Sequence, residues 1–204
     1  MHNAVKSVIE SRISHNHFQA GREIPEASIE ELVALATMAP SAFNCQNWRF
    51  LAVNSNSSKA ELQSLSYGQA KIGEAAMVFI VIGELAVTSR LASTLNASVT
   101  AGAMPSEIAE RWLAMANEAY LDPQKQRDEA VRSASLAAMT LMLAAEGMGL
   151  VSCPMSGFDA AGVARTFSLD ASEIPVLLVA VGYPASITEI RKPRRQVAEV
   201  LEYA

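Results

Sequence analysis

The stretch Pro40-Ser41-Ala42-Phe43-Asn44-Cys45-Gln46-Asn47-Trp48-Arg49-Phe50 is the most specific in the chain. Pro40 stops the helical pattern before it, a dense run of hydroxyl and amide donors follows, and Trp48 leads directly into a β-rich run. A polar turn anchored in a core by its tryptophan accounts for Pro40 and Trp48. It does not account for the density of Ser, Asn and Gln in one loop.

Upstream of this loop, Ile29, Leu32, Val33 and Ala36 fall on one helical face, and Ser28 followed by Glu31 reads as a capping box at its start. Residues 4–11 predict an earlier helix. Downstream, residues 49–53 and 76–83 are β-rich runs, the second nearly all apolar and therefore expected at the centre of a sheet covered on both faces. A short helix is predicted between them over residues 58–66. Residues 85–125 read as helical and variable, with Pro105 and Ser106 marking a helix start. The strongest helix spans residues 126–148; over residues 134–145 it is apolar on every face, and Gly147 and Gly149 supply its stop. Such a helix needs cover all round, and in 204 residues the economical cover is a second subunit. Residues 176–181 predict a last buried strand, closed by Gly182-Tyr183-Pro184. Helices and strands intermixed, with no repeat or linker, give one α+β or α/β sandwich domain over residues 1–204.

Composition narrows the function. Half of the residues are hydrophobic and 18% are charged, with 16 Lys+Arg against 21 Asp+Glu. The formal net charge of −5 argues against a nucleic-acid partner, because phosphate binding needs a basic surface; the run Arg191-Lys192-Pro193-Arg194-Arg195 is too short to reverse that. No apolar run approaches the roughly 20 residues of a membrane span. The amino terminus has no secretory pattern, and Cys45 and Cys153 form no disulfide framework, so the expected location is the cytoplasm.

Several common sites are excluded. Gly147-Met148-Gly149 closes a helix instead of opening one after a strand, and no G-K-[ST] phosphate loop occurs. Ser156 lacks the glycine of a nucleophile elbow, since Pro154 stands there, and all three histidines lie at positions 2, 15 and 17. His15 and His17 have no further ligand to complete a metal site, so no metal is expected. What remains is a set of small polar and basic residues spread over four loops beside helix or strand ends, an arrangement suited to an anionic cofactor.

The segment from Pro40 to Trp48 resembles the P-S-[SA]-x-N-x-Q-P-W motif of the nitroreductase superfamily. Further segments agree in order: Arg12-Ile13-Ser14 resembles the family's amino-terminal R-x-S motif, Gln69 to Lys71 precede a strand, Pro154-Met155-Ser156-Gly157-Phe158-Asp159 follow the buried helix, and Lys192-Pro193-Arg194 lie near the end. The resemblance implies a nitroreductase-like α+β sandwich, with a central, mostly antiparallel sheet flanked by helices, in an intertwined homodimer. It also implies one FMN per subunit, bound at the dimer interface.

By that resemblance, Arg12, Ser14, Lys192 and Arg194 would hold the FMN phosphate through charge-assisted hydrogen bonds. Pro40, Ser41, Ala42 and Asn44 belong to the loop that reaches the partner's FMN. Pro154, Met155, Ser156 and Gly157 would face the ring, with backbone donors of Ser156 and Gly157 toward N5 and O4. Asn16, Gln69 and Lys71 would address the pyrimidine edge, where a cation favours the reduced flavin. The chain departs from the family pattern at three positions: Asn16 stands where many members carry Lys or Arg, Gly68 replaces a frequent Asn, and Asn47 replaces the Pro before Trp48.

The implied activity is an FMN-dependent oxidoreductase: NADH or NADPH passes hydride to flavin N5 and departs, and a nitroaromatic, quinone or similar acceptor then takes the electrons. No side chain serves as a catalytic nucleophile, and residues 85–125 would shape the acceptor pocket. The alternative is a protein that stores or senses FMN without turnover, and a structural dimer without cofactor ranks third.

Overall fold

Among residues 2–204, which the computed structural model describes with side chains from Ala4 onward, four strands form one antiparallel sheet. They are β1 (Trp48–Val53), β2 (Met77–Glu84), β3 (Val151–Met155) and β4 (Glu173–Gly182), in the order β1-β2-β4-β3. Around them lie α1 (His2–Ser11), α2 (Glu26–Ala36), α3 (Asn56–Ser64), α4 (Ala70–Glu74), α5 (Leu91–Thr100), α6 (Ser106–Ala119), α7 (Pro123–Gly147) and α8 (Ala160–Thr166).

The period of two along β2 explains its unbroken apolar sequence. Met77, Phe79 and Val81 enter one core with Leu32 and Ala36 of α2 and Ala134, Ala138 and Leu141 of α7. Val78, Ile80 and Ile82 enter the other with Leu62 of α3, Ile72 of α4 and Val163 of α8. Both faces are covered, so neither set needs polar alternation. Gly83 is required at the contact of β2 with α7, because a Cβ there would lie 2.9 Å from the Ala130 carbonyl oxygen and 3.1 Å from the Ala130 Cβ.

Two sequence expectations are corrected, and one strand is added. Ser28 does not cap α2, which starts at Glu26 behind Pro25; the amides of Ser28 and Ile29 already donate to the Pro25 carbonyl at 2.9 and 3.1 Å. The long helix starts at Pro123 instead of residue 126, since Asp122 accepts from the Gln124 amide at 2.9 Å and Pro123 occupies the first helical turn. Strand β3 carries no strong sequence signal, because Ser152 and Pro154 interrupt its apolar run; proline is tolerated there because β3 is the last strand of the sheet. Region 85–125 is helical as expected, with α5 and α6 packed into a separate small core around Leu91, Leu95, Ala109 and Ala116.

Helix α7 buries Ala134, Ala137, Ala138, Leu141, Met142 and Ala145 within the single chain. Its opposite face leaves Leu136 and Met139 42% and 38% exposed. An apolar groove lined by Val5, Val8, Ile9, Leu35, Met38 and Leu143 continues that face between α1, α2 and α7.

Candidate functional site

The chain leaving α1 lies along β3, on the side away from β4. Ser14 forms a parallel bridge with Ser152, and the His15 amide donates to the Ser152 carbonyl at 3.0 Å. The carboxyl-terminal segment returns to the same place, where the Arg191 guanidinium donates to the carbonyls of Glu10 at 2.8 Å and Arg12 at 2.5 Å. These two ends of the sequence enclose a cleft lined by Ile13, Ser14, Asn16, Glu189, Lys192 and Arg194. Burial, then the neighbouring cations Arg191 and Arg194, depress the pKa of Arg12, with Glu146 opposing them. Cations are therefore concentrated here in a chain of net charge −5, offset in part by the Glu189 and Glu146 carboxylates.

Helix α4 brings a second group to this cleft. Lys71 Nζ donates to Asn16 Oδ1 at 3.1 Å and lies 3.6 Å from Cys153 Sγ. Gln69, at the amino end of α4, donates through Nε2 to the Gly157 carbonyl at 3.0 Å. Pro154 and Met155 are the last residues of β3, and the exposed Ser156 and Gly157 follow directly. Only the Tyr67 ring, at 3.9 Å, lies within contact of a Cβ placed on Gly157, so packing inside this chain does not require glycine there. Burial raises the pKa of the Cys153 thiol, against the pull of Lys71.

The Pro40–Trp48 loop stands apart from this group. Ala42–Asn44 form a 3-10 turn, with Phe43, Asn44 and Gln46 all in the left-handed region at φ 53°, 56° and 48°. Ser41 Oγ accepts from the Gln46 amide at 2.9 Å, and the buried Glu129 carboxylate on α7 accepts from the Ala42 amide at 3.3 Å. Phe43 packs edge-on against Trp112 and Tyr120, with ring centroids 6.0 and 6.2 Å away, which ties the loop to the α5–α6 cap. Among the described residues, no hydrogen bond joins Pro40, Ser41, Ala42 or Asn44 to the Arg12–Lys71 group.

The structure thus brings together Arg12, Ser14, Asn16, Lys192 and Arg194, and joins Gln69, Lys71 and the end of β3 to them. Sequence reading missed Glu189, which faces Asn16 from 173 residues away, and Glu129, a buried carboxylate in an otherwise helical pattern. Neither carries a local signal. Arg191 was visible only as part of a basic run. The donor set suits a phosphate monoester joined to a flat ring with polar edges: guanidinium and ammonium groups at one end, an amide and a cation in the middle, and exposed backbone after β3. Among the described residues, no group of three or more His, Cys, Asp or Glu could hold a metal ion. No helix among them is long and apolar enough to cross a membrane.

The family model described as "Nitroreductase family" matches residues 9–183. The chain is 34% identical over 175 residues to the Bacillus subtilis protein named "Putative NAD(P)H nitroreductase YodC", covering 86% of this chain and 87% of that one. It superposes with TM-score 0.93 on the crystal structure of a Bacillus subtilis protein described as "putative nitroreductase ydfN", at 28% identity and full coverage of both chains. A Staphylococcus epidermidis structure described as a "putative NAD(P)H:FMN oxidoreductase" gives TM-score 0.91 at 26% identity, covering 98% of this chain and 95% of that one. The family model takes in the whole sheet and the amino-terminal side of the cleft, and on that match the chain belongs to the nitroreductase family.

Proposed function

We propose that the chain is an NAD(P)H-dependent FMN oxidoreductase that acts as a homodimer on nitroaromatic, quinone or similar small-molecule acceptors. The observation that carries this reading is the convergence of Arg12, Lys192, Arg194 and Lys71 on one side of β3, in a chain whose overall charge is negative. Arg12, Ser14, Lys192 and Arg194 would hold the phosphate, and Asn16, Gln69 and Lys71 the pyrimidine edge. Pro154 and Met155 would set the floor, with the backbone of Ser156 and Gly157 at the reacting edge. FMN, when bound, supplies two-electron hydride chemistry between NAD(P)H and the acceptor.

The protein's own residues bind and orient. Guanidinium groups fix the phosphate end, which sets where the ring can lie. Lys71 would place positive charge beside the pyrimidine edge, where charge develops on reduction. The α5–α6 cap, tied to the Pro40–Trp48 loop, would shape access for the acceptor at the second subunit's site. Pro40, Ser41, Ala42 and Asn44 would complete the site of the second subunit. Their separation from the cationic cleft supports that assignment, as do the exposed apolar face of α7 and the groove beside it. The relatives' names, which include an NAD(P)H nitroreductase and an NAD(P)H:FMN oxidoreductase, agree with this activity.

The test is spectroscopic. Purified protein should take up FMN, turn yellow, bleach with NADH or NADPH and recover its colour with a quinone or nitroaromatic. Yellow protein that never bleaches indicates a binder, and protein that stays colourless with FMN overturns both readings.

A further inference from the structure

Glu189 and Lys71 do not touch, yet Asn16 joins them. The Glu189 carboxylate accepts from the Asn16 backbone amide, from Asn16 Nδ2 at 3.0 Å and from the His17 amide at 3.0 Å. On the other side, Asn16 Oδ1 accepts from Lys71 Nζ at 3.1 Å. The chemistry fixes this order: an ionised carboxylate only accepts and an ammonium only donates, so an asparagine between them has one satisfied orientation. Glu189 is held in its ionised form: burial works against it, but the amides of Asn16 and His17 outweigh that and keep its pKa low.

We infer that Glu189 is a positioning residue for the flavin's pyrimidine edge, acting through the Asn16 carboxamide to aim the Lys71 ammonium; this rests on the FMN reading above. Asn16 is then a polarised link in place of a missing cation. Lys71 has three donors, of which one is on Asn16 and one lies near Cys153 Sγ, leaving one for a ligand. Replacing Glu189 by Gln puts an amide N–H opposite Asn16. The Asn16 carboxamide then either loses that hydrogen bond or turns, and turning sets its N–H groups against the Lys71 ammonium. Turning takes the Lys71 acceptor away, and loss of the hydrogen bond frees the Asn16 carboxamide to move, so that it no longer fixes Lys71.

The sign of the effect on the bound flavin separates this role from a simple field effect. Removing a nearby negative charge without moving Lys71 would favour reduced flavin and raise the two-electron potential. Releasing Lys71 lowers it. Glu189→Gln should therefore weaken the site's preference for reduced over oxidised FMN by about tenfold, a fall of about 30 mV for a two-electron couple. In a Lys71→Met background the same substitution should produce no further fall, because the link has lost its end. A rise, no change, or an equal fall in both backgrounds overturns the inference.

A second measurement needs no flavin. In FMN-free protein, Glu189→Gln should shift the side-chain NMR signals of Lys71, which Glu189 does not contact, and Lys71→Met should shift the Asn16 carboxamide signals. Unmoved signals sink the link itself. Wild-type protein that takes up no FMN instead sinks the functional reading, and the two failures are thereby told apart.

Discussion

The Glu129 carboxylate on α7 accepts a hydrogen bond from the Ala42 amide at 3.3 Å, across 87 positions of sequence, and another from Ser133 Oγ at 2.7 Å. Glu129 is 4% exposed, so these contacts sit where water cannot replace them. Burial and the nearby Glu129 charge push the Cys45 thiol up to about 12, so no thiolate competes in this corner. Glu129→Ala should destabilise the fold by about 2–3 kcal/mol, since the Ala42 amide, the Ser133 hydroxyl and the Arg132 guanidinium lose their acceptor. Glu129→Gln should cost less, because its Oε1 can still accept. Urea unfolding of the three proteins checks the order, and equal midpoints would mean that Glu129 does not hold the loop.

Acid should weaken the fold through Glu173. Arg49 donates to its two carboxylate oxygens at 2.6 and 2.8 Å, and this hydrogen bonding holds the Glu173 carboxyl below its usual range although burial opposes it. The unfolded chain therefore binds the proton more readily. The stabilisation is complete above the unfolded glutamate value of about 4.3 and is lost as pH falls through the lower folded value. Glu84 works in the opposite sense, because burial raises its pKa. Glu173→Gln isolates the effect: urea midpoints between pH 6 and pH 3 should fall less steeply in the variant than in the wild type, and parallel slopes would remove this role.

Arg194 tests the phosphate end. Its Nη1 donates to the Lys192 carbonyl at 2.8 Å, a local contact on the rim of the cleft that an incoming anion can replace. Arg194→Ala should weaken FMN binding by about 1.5–3 kcal/mol, the usual worth of a hydrogen bond to a charged group. Riboflavin, which has no phosphate, should bind almost equally to both proteins. Equal losses for the two ligands in a titration would place Arg194 away from the phosphate.

The outward face of α7 predicts a dimer. Leu136 and Met139 stand on it, beside the groove of Val5, Ile9, Leu35 and Met38. Sedimentation should give two chains per particle, and a Leu136→Glu, Met139→Glu double variant should shift the population toward single chains with weakened FMN retention. A single-chain wild type that keeps FMN at micromolar concentration would contradict the role given to Ser41 and Asn44 in the second subunit.

What the sequence carried was local pattern and ordered motifs. The apolar run of β2 read correctly as a central strand because both of its faces are buried. Arg12, Ser14, Lys192 and Arg194 were singled out because they stand in ordered motifs, and the fold brings these distant segments together. Strand β3 was missed because Ser152 and Pro154 hide its period, and Ser28 misled because the helix begins with Pro25 and needs no hydroxyl cap. Glu189 was unreadable for a different reason. Its partners Asn16 and His17 lie at the other end of the chain, and only the fold brings them within hydrogen-bond reach.

The charge at the pyrimidine edge gives the last prediction. Asn16 and Lys71 are in contact at 3.1 Å, so a cation introduced at position 16 would stand close to the one already at 71. Lys71→Met should destabilise the reduced flavin, lower its two-electron potential and slow hydride uptake. Asn16→Lys should raise the potential, although pairing of the new ammonium with Glu189 will offset part of the gain. At an effective dielectric near 20, a unit charge about 4 Å away is worth on the order of 4 kcal/mol before screening. Solvent reaches these half-exposed side chains and reduces that several-fold. Since about 30 mV corresponds to 1.4 kcal/mol for a two-electron couple, shifts of tens of millivolts in opposite directions are expected. Equilibration with a reference dye of known potential measures both. Unchanged potentials in both variants, with FMN still bound, would place Lys71 and Asn16 away from the ring and remove the assignment of this edge.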